Sequence, residues 1–158
     1  MITVRPAMAQ DYPALCEILD EVDALHRQKL PHLFRRPEGP VRERAYVLEL
    51  LDDENVAIFI AEFEGQPAGL VHVVVQDTPV IPILVPRRWA SVDEVVVKER
   101  FRRRGIGRAL MDEGQRWALS RGATEIELSV FEFNEPARAF YESLGYETIR
   151  RRVGRRLP

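Results

Sequence analysis

The sequence predicts an α/β fold of the α+β type, in which helices flank a mixed, largely antiparallel central sheet. Apolar residues recur at three- and four-residue steps in some stretches, as in amphipathic helices, whereas other stretches alternate or are rich in valine and isoleucine, as strands are. The turn Glu64-Gly65-Gln66-Pro67 joins two of these strands as an antiparallel hairpin. The predicted order of elements, β-α-α-β-β-β-α-β-α-β, is that of one sheet covered by helices.

The first half of the chain begins with a short strand at residues 2–6, which Pro6 ends. Asp11 is then suited to cap a helix with one apolar stripe. That stripe comprises Leu15, Ile18, Leu19, Val22 and Leu25. The proline-containing residues 26–40 indicate an irregular segment, of a kind that often lines substrate sites. The remaining predicted elements are a helix at 41–51, strands at 56–63 and 68–75, and a loop at 76–88.

The second half is organised around residues 92–111, where a valine-rich strand, a turn with two glycines and a helix follow one another. Arg121 and Gly122 are expected to end that helix through a basic last turn and a glycine cap. The remaining predicted elements are a strand at 125–131, a helix at 134–145 bracketed by proline and glycine, and a final strand at 146–153.

Length and composition are those of one ordinary domain, with 158 residues of which 46% are hydrophobic and 30% charged. We therefore expect a single domain over residues 1–158. The single cysteine, Cys16, excludes an intramolecular disulfide, and the opening MITVRPAMAQ lacks the apolar core of a signal peptide, which favours a cytoplasmic location. No apolar run suggests a membrane span. The three histidines are not clustered at ligand spacings, so no metal site is predicted.

Charge is divided unevenly along the chain. Residues 1–86 hold 7 basic and 14 acidic residues, whereas residues 87–158 hold 16 and 11. This asymmetry suits an anionic cofactor at one end and a cationic acceptor at the other. Nucleic-acid binding is an alternative, motivated by the arginines at 150–152 and 155–156, but the chain has a net charge of -2 and no aromatic-rich platform. We expect no nucleic-acid partner.

The turn at residues 102–108 has the features of a phosphate site. Its two glycines let the backbone approach a ligand closely, and the N–H groups that open the following helix lack partners within it. Consecutive arginines add charge and forked donors. The turn lacks the G-x-x-x-x-G-K-[ST] pattern of a P-loop and the third glycine of a Rossmann fingerprint, which disfavours a nucleoside triphosphatase or a dehydrogenase.

Two motifs resemble those of the GCN5-related N-acetyltransferases, the GNAT superfamily. Arg102-x-x-Gly105-x-Gly107 after a valine-rich strand is similar to that family's acetyl-CoA signature, and Asn134-x-x-Ala137-x-x-Phe140-Tyr141-x-x-x-Gly145-Tyr146 is similar to its C-terminal motif. The resemblance implies the GNAT-like acyl-CoA N-acyltransferase fold and acetyl-CoA as cosubstrate. It also implies direct transfer of an acetyl group to a primary amine of a small molecule or peptide.

The resemblance assigns cofactor-binding roles to two neighbouring stretches and one asparagine. Backbone N–H groups of the turn would hold the pyrophosphate of coenzyme A, and the strand edge would pair with the pantetheine amides. A strand N–H near Val95 would bind the thioester oxygen. The residues implied are Val95, Val96, Val97, Arg102, Arg103, Arg104, Gly105, Ile106, Gly107, Arg108 and Asn134. We expect a Cβ at either turn glycine to obstruct the cofactor site. Asn134 is equally suited to cap the helix that follows it.

Proton transfer needs a base for the alkylammonium and an acid for the departing thiolate. Tyr141 matches the acid of the family motif, with a packed, hydrogen-bonded tyrosine as the alternative. Glu94 is the favoured base and Asp93 the next candidate; alternatively, either one pairs with an arginine such as Arg88. Because adjacent strand residues leave opposite faces, we expect at most one of the two carboxylates to face the acceptor.

Two alternatives to an acetyltransferase remain. The first is a non-catalytic module that binds or senses acyl-CoA, and the second, which is less favoured, is a nucleic-acid-binding protein. The identity of the amine acceptor is open. Acidic residues on the first helix and at residues 52–54 permit a polyamine, an aminoglycoside or a basic peptide. Members of the family frequently form dimers, which leaves a homodimer open.

Overall fold

The computed structural model describes all 158 residues, which form two compact units, Met1–Leu128 and Ser129–Pro158. The first unit holds the sheet and three helices, and the second holds one helix. The assignment of residues 1–158 to one domain stays a prediction. None of the helices is both long and apolar enough to cross a membrane.

The first unit contains a five-stranded sheet with three helices. Its elements are β1 (Ile2–Pro6), α1 (Tyr12–Lys29), α2 (Arg44–Asp52), β2 (Val56–Phe63), β3 (Gln66–Asp77), β4 (Arg88–Val97), α3 (Ile106–Ser120) and β5 (Glu125–Leu128). The strands lie in the order β1-β2-β3-β4-β5. Neighbours among the first four strands are antiparallel, and β5 is parallel to β4. The prediction of a mixed, largely antiparallel sheet flanked by helices is confirmed.

The helices cover both faces of the sheet. On one face, apolar side chains of α1 and α2 pack with alternate residues of the strands, among them Leu15, Ile18, Leu19, Val47, Ile58, Ile60, Leu70 and Val96. On the other face α3 approaches β3 so closely that a Cβ added at Gly114 would lie 3.0 Å from a methyl group of Val73. Along a regular strand, side chains therefore alternate between the face covered by α1 and α2 and the face covered by α3.

Two local predictions for the first unit are refined by the structure. The hairpin turn is confirmed, and both Glu64 and Gly65 adopt positive φ angles, of 52° and 76°, as a tight two-residue hairpin turn requires. Asp11 stands at the N-cap position of α1, but its side chain makes no cap hydrogen bond there. The Asp11 carboxylate instead accepts hydrogen bonds from the Met8 N–H at 2.8 Å and from the Arg5 guanidinium. Arg5 holds the pKa of Asp11 below its usual range.

The second unit consists of α4 (Glu135–Ser143) and irregular chain on either side of it. Asn134 caps the helix by accepting a hydrogen bond from the Ala137 N–H, and Gly145 follows the helix with φ +89°. The predicted strand at 146–153 is wrong, since these residues form neither helix nor strand. Its few apolar side chains give no buried face, because Ile149 and Val153 are 73% and 91% exposed.

Candidate functional site

The strands β4 and β5 run side by side over only part of their length. Trp89 to Val92 pair with Glu125 to Leu128, and β5 then ends while β4 continues to Val97. Residues 93–97 therefore belong to the part of β4 that extends beyond its pairing with β5. Such an edge can pair with an extended amide-containing ligand as another strand would. Val95, Val96 and Val97, which were predicted to hold the cofactor, lie on this segment.

A β-bulge in β4 changes the direction of the side chains that follow it. The register passes from Val92 opposite Val73 to Glu94 opposite His72, so Asp93 has no partner on β3. Val92 shares the face that α3 covers, and the extra residue places Glu94 on the face covered by α1 and α2. Without the bulge, Glu94 would face α3.

The bulge corrects the expectation that Asp93 and Glu94 leave opposite faces. Asp93 accepts a 2.6 Å hydrogen bond from the hydroxyl group of Ser91, which lies on the same face as Glu94. Both carboxylates act electrostatically on His72, the residue opposite Glu94. Strict alternation fails here because the inserted residue has no place in the ladder. The side chains of both candidate bases therefore lie on the face of the sheet that α1 covers.

Glu94 is ion-paired with Arg42. One terminal nitrogen of the guanidinium, Nη2, lies 2.6 Å from Glu94 Oε1, and the other, Nη1, lies 2.8 Å from Asp23 Oδ2 on α1. Burial lowers the pKa of Arg42, but hydrogen bonds and charges from the two carboxylates outweigh it and the pKa lies above its ordinary value. Arg88, the arginine considered from the sequence, pairs with Asp77 instead.

His72 is a buried polar neighbour of the two candidate bases. His72 is only 6% exposed, and its Nε2 atom is buried without a hydrogen-bond partner. Burial lowers the pKa of His72, and the charges of Asp93 and Glu94 oppose that effect only in part. The imidazole is therefore neutral at neutral pH. His26 on α1 has a pKa lowered for the same reason, and its ring stacks on Phe34 with centroids 5.2 Å apart.

The turn before α3 contains only one of the two motif glycines, Gly105, because Gly107 already lies within the helix. Arg103 and Gly105 both have positive φ angles, of 64° and 83°, and α3 begins at Ile106 directly afterwards. No side chain caps the start of the helix, so no side-chain acceptor competes with an anion for its first N–H groups. A Cβ at Gly105 would have no heavy atom of the protein within 4 Å, so the residue is needed there for its φ angle and not for space inside the protein.

The arginines of the turn have different surroundings. Arg102 donates a hydrogen bond from Nε to the Val97 carbonyl oxygen at 3.1 Å, which ties the turn to the end of β4. The guanidinium of Arg104 lies over the ring of Phe63, 4.9 Å from its centroid. Arg103 and Arg108 are exposed. Ile106 is buried, so only its backbone can serve a ligand.

The second unit carries the predicted acid. Burial, together with the charge of Tyr146, raises the pKa of Tyr141 to about 12. The ring of Tyr141 also contacts the rings of Phe140 and Tyr146, with centroids 5.4 Å and 6.0 Å away. Tyr141 therefore stays protonated through neutral pH and can donate, but not accept, a proton there. The capping interpretation of Asn134 is observed, and its contact with pantetheine stays a prediction.

Sequence reasoning did not single out Arg42 or His72, and it considered Asp23 only as one of the acidic residues on the first helix that could attract an amine. Arg42 and Glu94 are separated by 52 positions, and no local pattern connects them. A weak signal was the interpretation of residues 26–40 as a loop lining a substrate site, since Arg42 follows that loop. No group of three or more histidine, cysteine or acidic side chains is arranged to hold a metal ion.

Comparison with known proteins gives one family and one fold. The profile of the acetyltransferase (GNAT) family matches residues 19–146. The chain is 35% identical over 104 residues to an uncharacterized N-acetyltransferase of Methanocaldococcus jannaschii, and that alignment covers 66% of this chain and 45% of the relative. The chain thus spans less than half the length of this curated relative.

Two solved structures have the same fold. A mutant of a Bacillus halodurans protein has a TM-score of 0.94 at 24% identity, with 99% of each chain covered. An aminoglycoside N-acetyltransferase in complex with CoA has a TM-score of 0.74 at 17% identity, again with 99% of each chain covered. At these identities the likeness is one of fold.

Proposed function

Because the chain belongs to the acetyltransferase (GNAT) family, we propose that it is an acetyl-CoA-dependent N-acetyltransferase whose acceptor is a primary amine of a small molecule or peptide. The observation that carries the proposal is the segment of β4 beyond its pairing with β5, which is followed by an uncapped helix start. A strand edge suits the amides of pantetheine, and a helix start suits pyrophosphate. Coenzyme A carries both groups in one molecule.

The proposed cofactor contacts divide between backbone and side chains. N–H groups at the start of α3 hold the pyrophosphate, and Gly105 supplies the positive φ that aims the turn. Arg103 and Arg108, which are exposed, add positive charge for the phosphates. Arg102 acts mainly within the protein, since its Nε is bonded to the Val97 carbonyl oxygen.

The proposed reaction moves one acetyl group without a covalent enzyme intermediate. The protonated amine gives one proton to Glu94, and its lone pair then attacks the thioester carbonyl carbon to form the C–N bond. The C–S bond breaks as the tetrahedral intermediate collapses, and the thiolate takes a proton from Tyr141. The nitrogen of the intermediate gives its extra proton back to the Tyr141 oxygen, which leaves a neutral amide and a free thiol. A strand N–H near Val95 stabilises the oxyanion between these steps.

The carboxylates near β4 support an amine acceptor. Asp23, Asp93 and Glu94 share one face, and Arg42 is the one cation paired with any of them. The net negative charge attracts a protonated amine. The face does not distinguish a small molecule from a peptide, and Glu94 remains the first candidate for the base, with Asp93 next.

An amine screen with acetyl-CoA tests the proposal. CoA thiol release is measured against polyamines, aminoglycosides and peptides with free amino groups, and the product mass must rise by one acetyl group. Binding of acetyl-CoA without turnover on any amine would favour the alternative of a non-catalytic sensing module. With an accepted amine in hand, the base is identified by comparing kcat/KM against pH for Glu94→Gln and Asp93→Asn. We expect Glu94→Gln to lose the acidic limb, and retention of that limb would move the role to Asp93.

A further inference from the structure

We propose that Arg42 is a positioning residue that holds the Glu94 carboxylate in place for proton abstraction, an inference that rests on the proposed function. Arg42 lies in the segment between α1 and α2. Its guanidinium contacts a carboxylate on α1 and another on β4, with Nη1 2.8 Å from Asp23 and Nη2 2.6 Å from Glu94. One planar group therefore joins the helix to the candidate base.

The hydrogen bonds of Arg42 leave its guanidinium little freedom. Nη1 donates to Asp23 Oδ2 and to the Val41 carbonyl oxygen, each at 2.8 Å. Nη2 donates to Glu94 Oε1 at 2.6 Å and to Asp23 Oδ1 at 3.4 Å. The N–H groups of both terminal nitrogens are thus engaged by the protein. Arg42 is accordingly suited to orient Glu94, and not to bind a carboxylate of the acceptor.

The backbone around Arg42 is also anchored. The hydroxyl group of Tyr12, at the start of α1, donates a 2.7 Å hydrogen bond to the Arg42 carbonyl oxygen. The side chain and the carbonyl of one residue therefore tie the segment between α1 and α2 to both α1 and β4. Side chains of Arg42, Asp23 and Glu94 are each about a quarter exposed, so water screens these bonds less than it screens a fully exposed pair.

Arg42 also decides the charge balance around Glu94. The titratable groups that face Glu94 are Asp23 and His26 from α1, Asp93 from its own strand and His72 from β3. Burial keeps both imidazoles neutral, so Arg42 supplies the positive charge among them. Without Arg42, three carboxylates would stand together without a cation, and the cluster would take up protons at higher pH.

Arg42→Gln and Arg42→Lys, each made alone and combined with Glu94→Gln, test this role. We expect Arg42→Gln to lower kcat/KM for the amine by about 10-fold to 100-fold, as loss of orientation does. The KM for acetyl-CoA should stay unchanged, and the acidic limb of the pH profile should move to higher pH. Arg42→Lys keeps the positive charge but loses the forked donors of the guanidinium. It should restore the wild-type position of the acidic limb but only part of kcat/KM.

In enzyme that already carries Glu94→Gln, the same Arg42→Gln change should cost less than about 3-fold, because the group it positions is gone. Arg27→Gln is the matched control, since Arg27 pairs with Asp20 on α1. It should leave both the rate and the pH profile as in the wild type. Urea unfolding of each variant identifies any that fold poorly, and Arg42→Lys carries the comparison if Arg42→Gln does not fold.

If Arg42→Gln lowers kcat/KM equally in wild-type enzyme and in enzyme that carries Glu94→Gln, Arg42 acts only on the structure. That result would overturn the positioning role and leave the acetyltransferase proposal intact. An unshifted pH profile in Arg42→Gln would do the same. A wild-type protein that binds acetyl-CoA but acetylates no amine would instead overturn the proposed function, and this role with it.

Discussion

Gly69 in β3 lies opposite Val97, beside the strand edge that we propose for pantetheine. Replacing it with alanine puts a methyl group where β3 and β4 are too close to accept one. The added Cβ would lie 2.5 Å from the Val96 carbonyl oxygen, 3.3 Å from Val97 Cα and 3.2 Å from Leu110 Cδ1. The leucine can rotate away, but the two backbone atoms belong to the strand ladder, so β4 itself must move.

The expected cost follows from these contacts. Overpacking of this kind typically destabilises a protein by about 1–3 kcal/mol. Alanine recovers about 0.5–1 kcal/mol of that, since glycine is the less favourable residue within a strand. The middle of the two ranges gives a net loss of about 1 kcal/mol, which should lower the urea midpoint by roughly 0.5 M at a typical slope. Because the displaced atoms belong to β4, we also expect acetyl-CoA to bind about 10-fold more weakly.

Urea unfolding and acetyl-CoA titration of Gly69→Ala measure both effects. Gly114→Ala is the control, because its Cβ would meet a side-chain methyl group of Val73 at 3.0 Å and no β4 backbone. Alanine in α3 gains about 1 kcal/mol of helix propensity, so this variant should lose little stability and keep its affinity. A Gly69→Ala protein with wild-type midpoint and wild-type affinity would refute the close approach of the two strands.

Two further substitutions examine the cofactor turn and the acid. Gly105→Glu should abolish acetyl-CoA binding, because it places a carboxylate and a strained φ angle at the pyrophosphate site. Gly65→Glu is the matched control, since Gly65 also has a positive φ and open space around an added Cβ, and this variant should bind acetyl-CoA normally. Normal acetyl-CoA binding by Gly105→Glu would show that the turn is not part of the cofactor site. Tyr141→Phe should lower kcat with little effect on KM. Because the pKa of Tyr141 is about 12, its ionisation should cause no alkaline limb in the pH–rate profile of the wild-type enzyme below about pH 11. Unchanged turnover in Tyr141→Phe would make the tyrosine structural.

The bulge at Asp93 changes how the candidate site is understood. An uninterrupted strand would have turned Glu94 toward α3 and separated it from Asp93. The inserted residue brings both carboxylates to the face that carries α1, where Arg42 binds one and Ser91 the other. The two candidate bases, Glu94 and Asp93, are therefore neighbours with different hydrogen-bond partners, so substituting each one separately can show which of them accepts the proton.

Local patterns in the sequence were sufficient for several parts of the molecule. The hairpin at Glu64 and Gly65, the turn before α3 and the cap of α4 at Asn134 each depend on a few consecutive residues whose φ angles or side-chain bonds are set within the segment. The family motifs are local in the same sense. The fold class could be predicted because hydrophobic periodicity reports which face of each element is buried.

Only the tertiary structure decided the features that depend on register and on contacts between distant residues. The strand predicted at 146–153 is absent because a strand needs a buried face as well as a suitable pattern, and its apolar side chains are exposed. The pairing of Arg42 with Glu94 joins positions 52 apart through folding alone. The bulge that turns Glu94 toward Arg42 is a one-residue mismatch between β3 and β4, and neither strand's own sequence contains it.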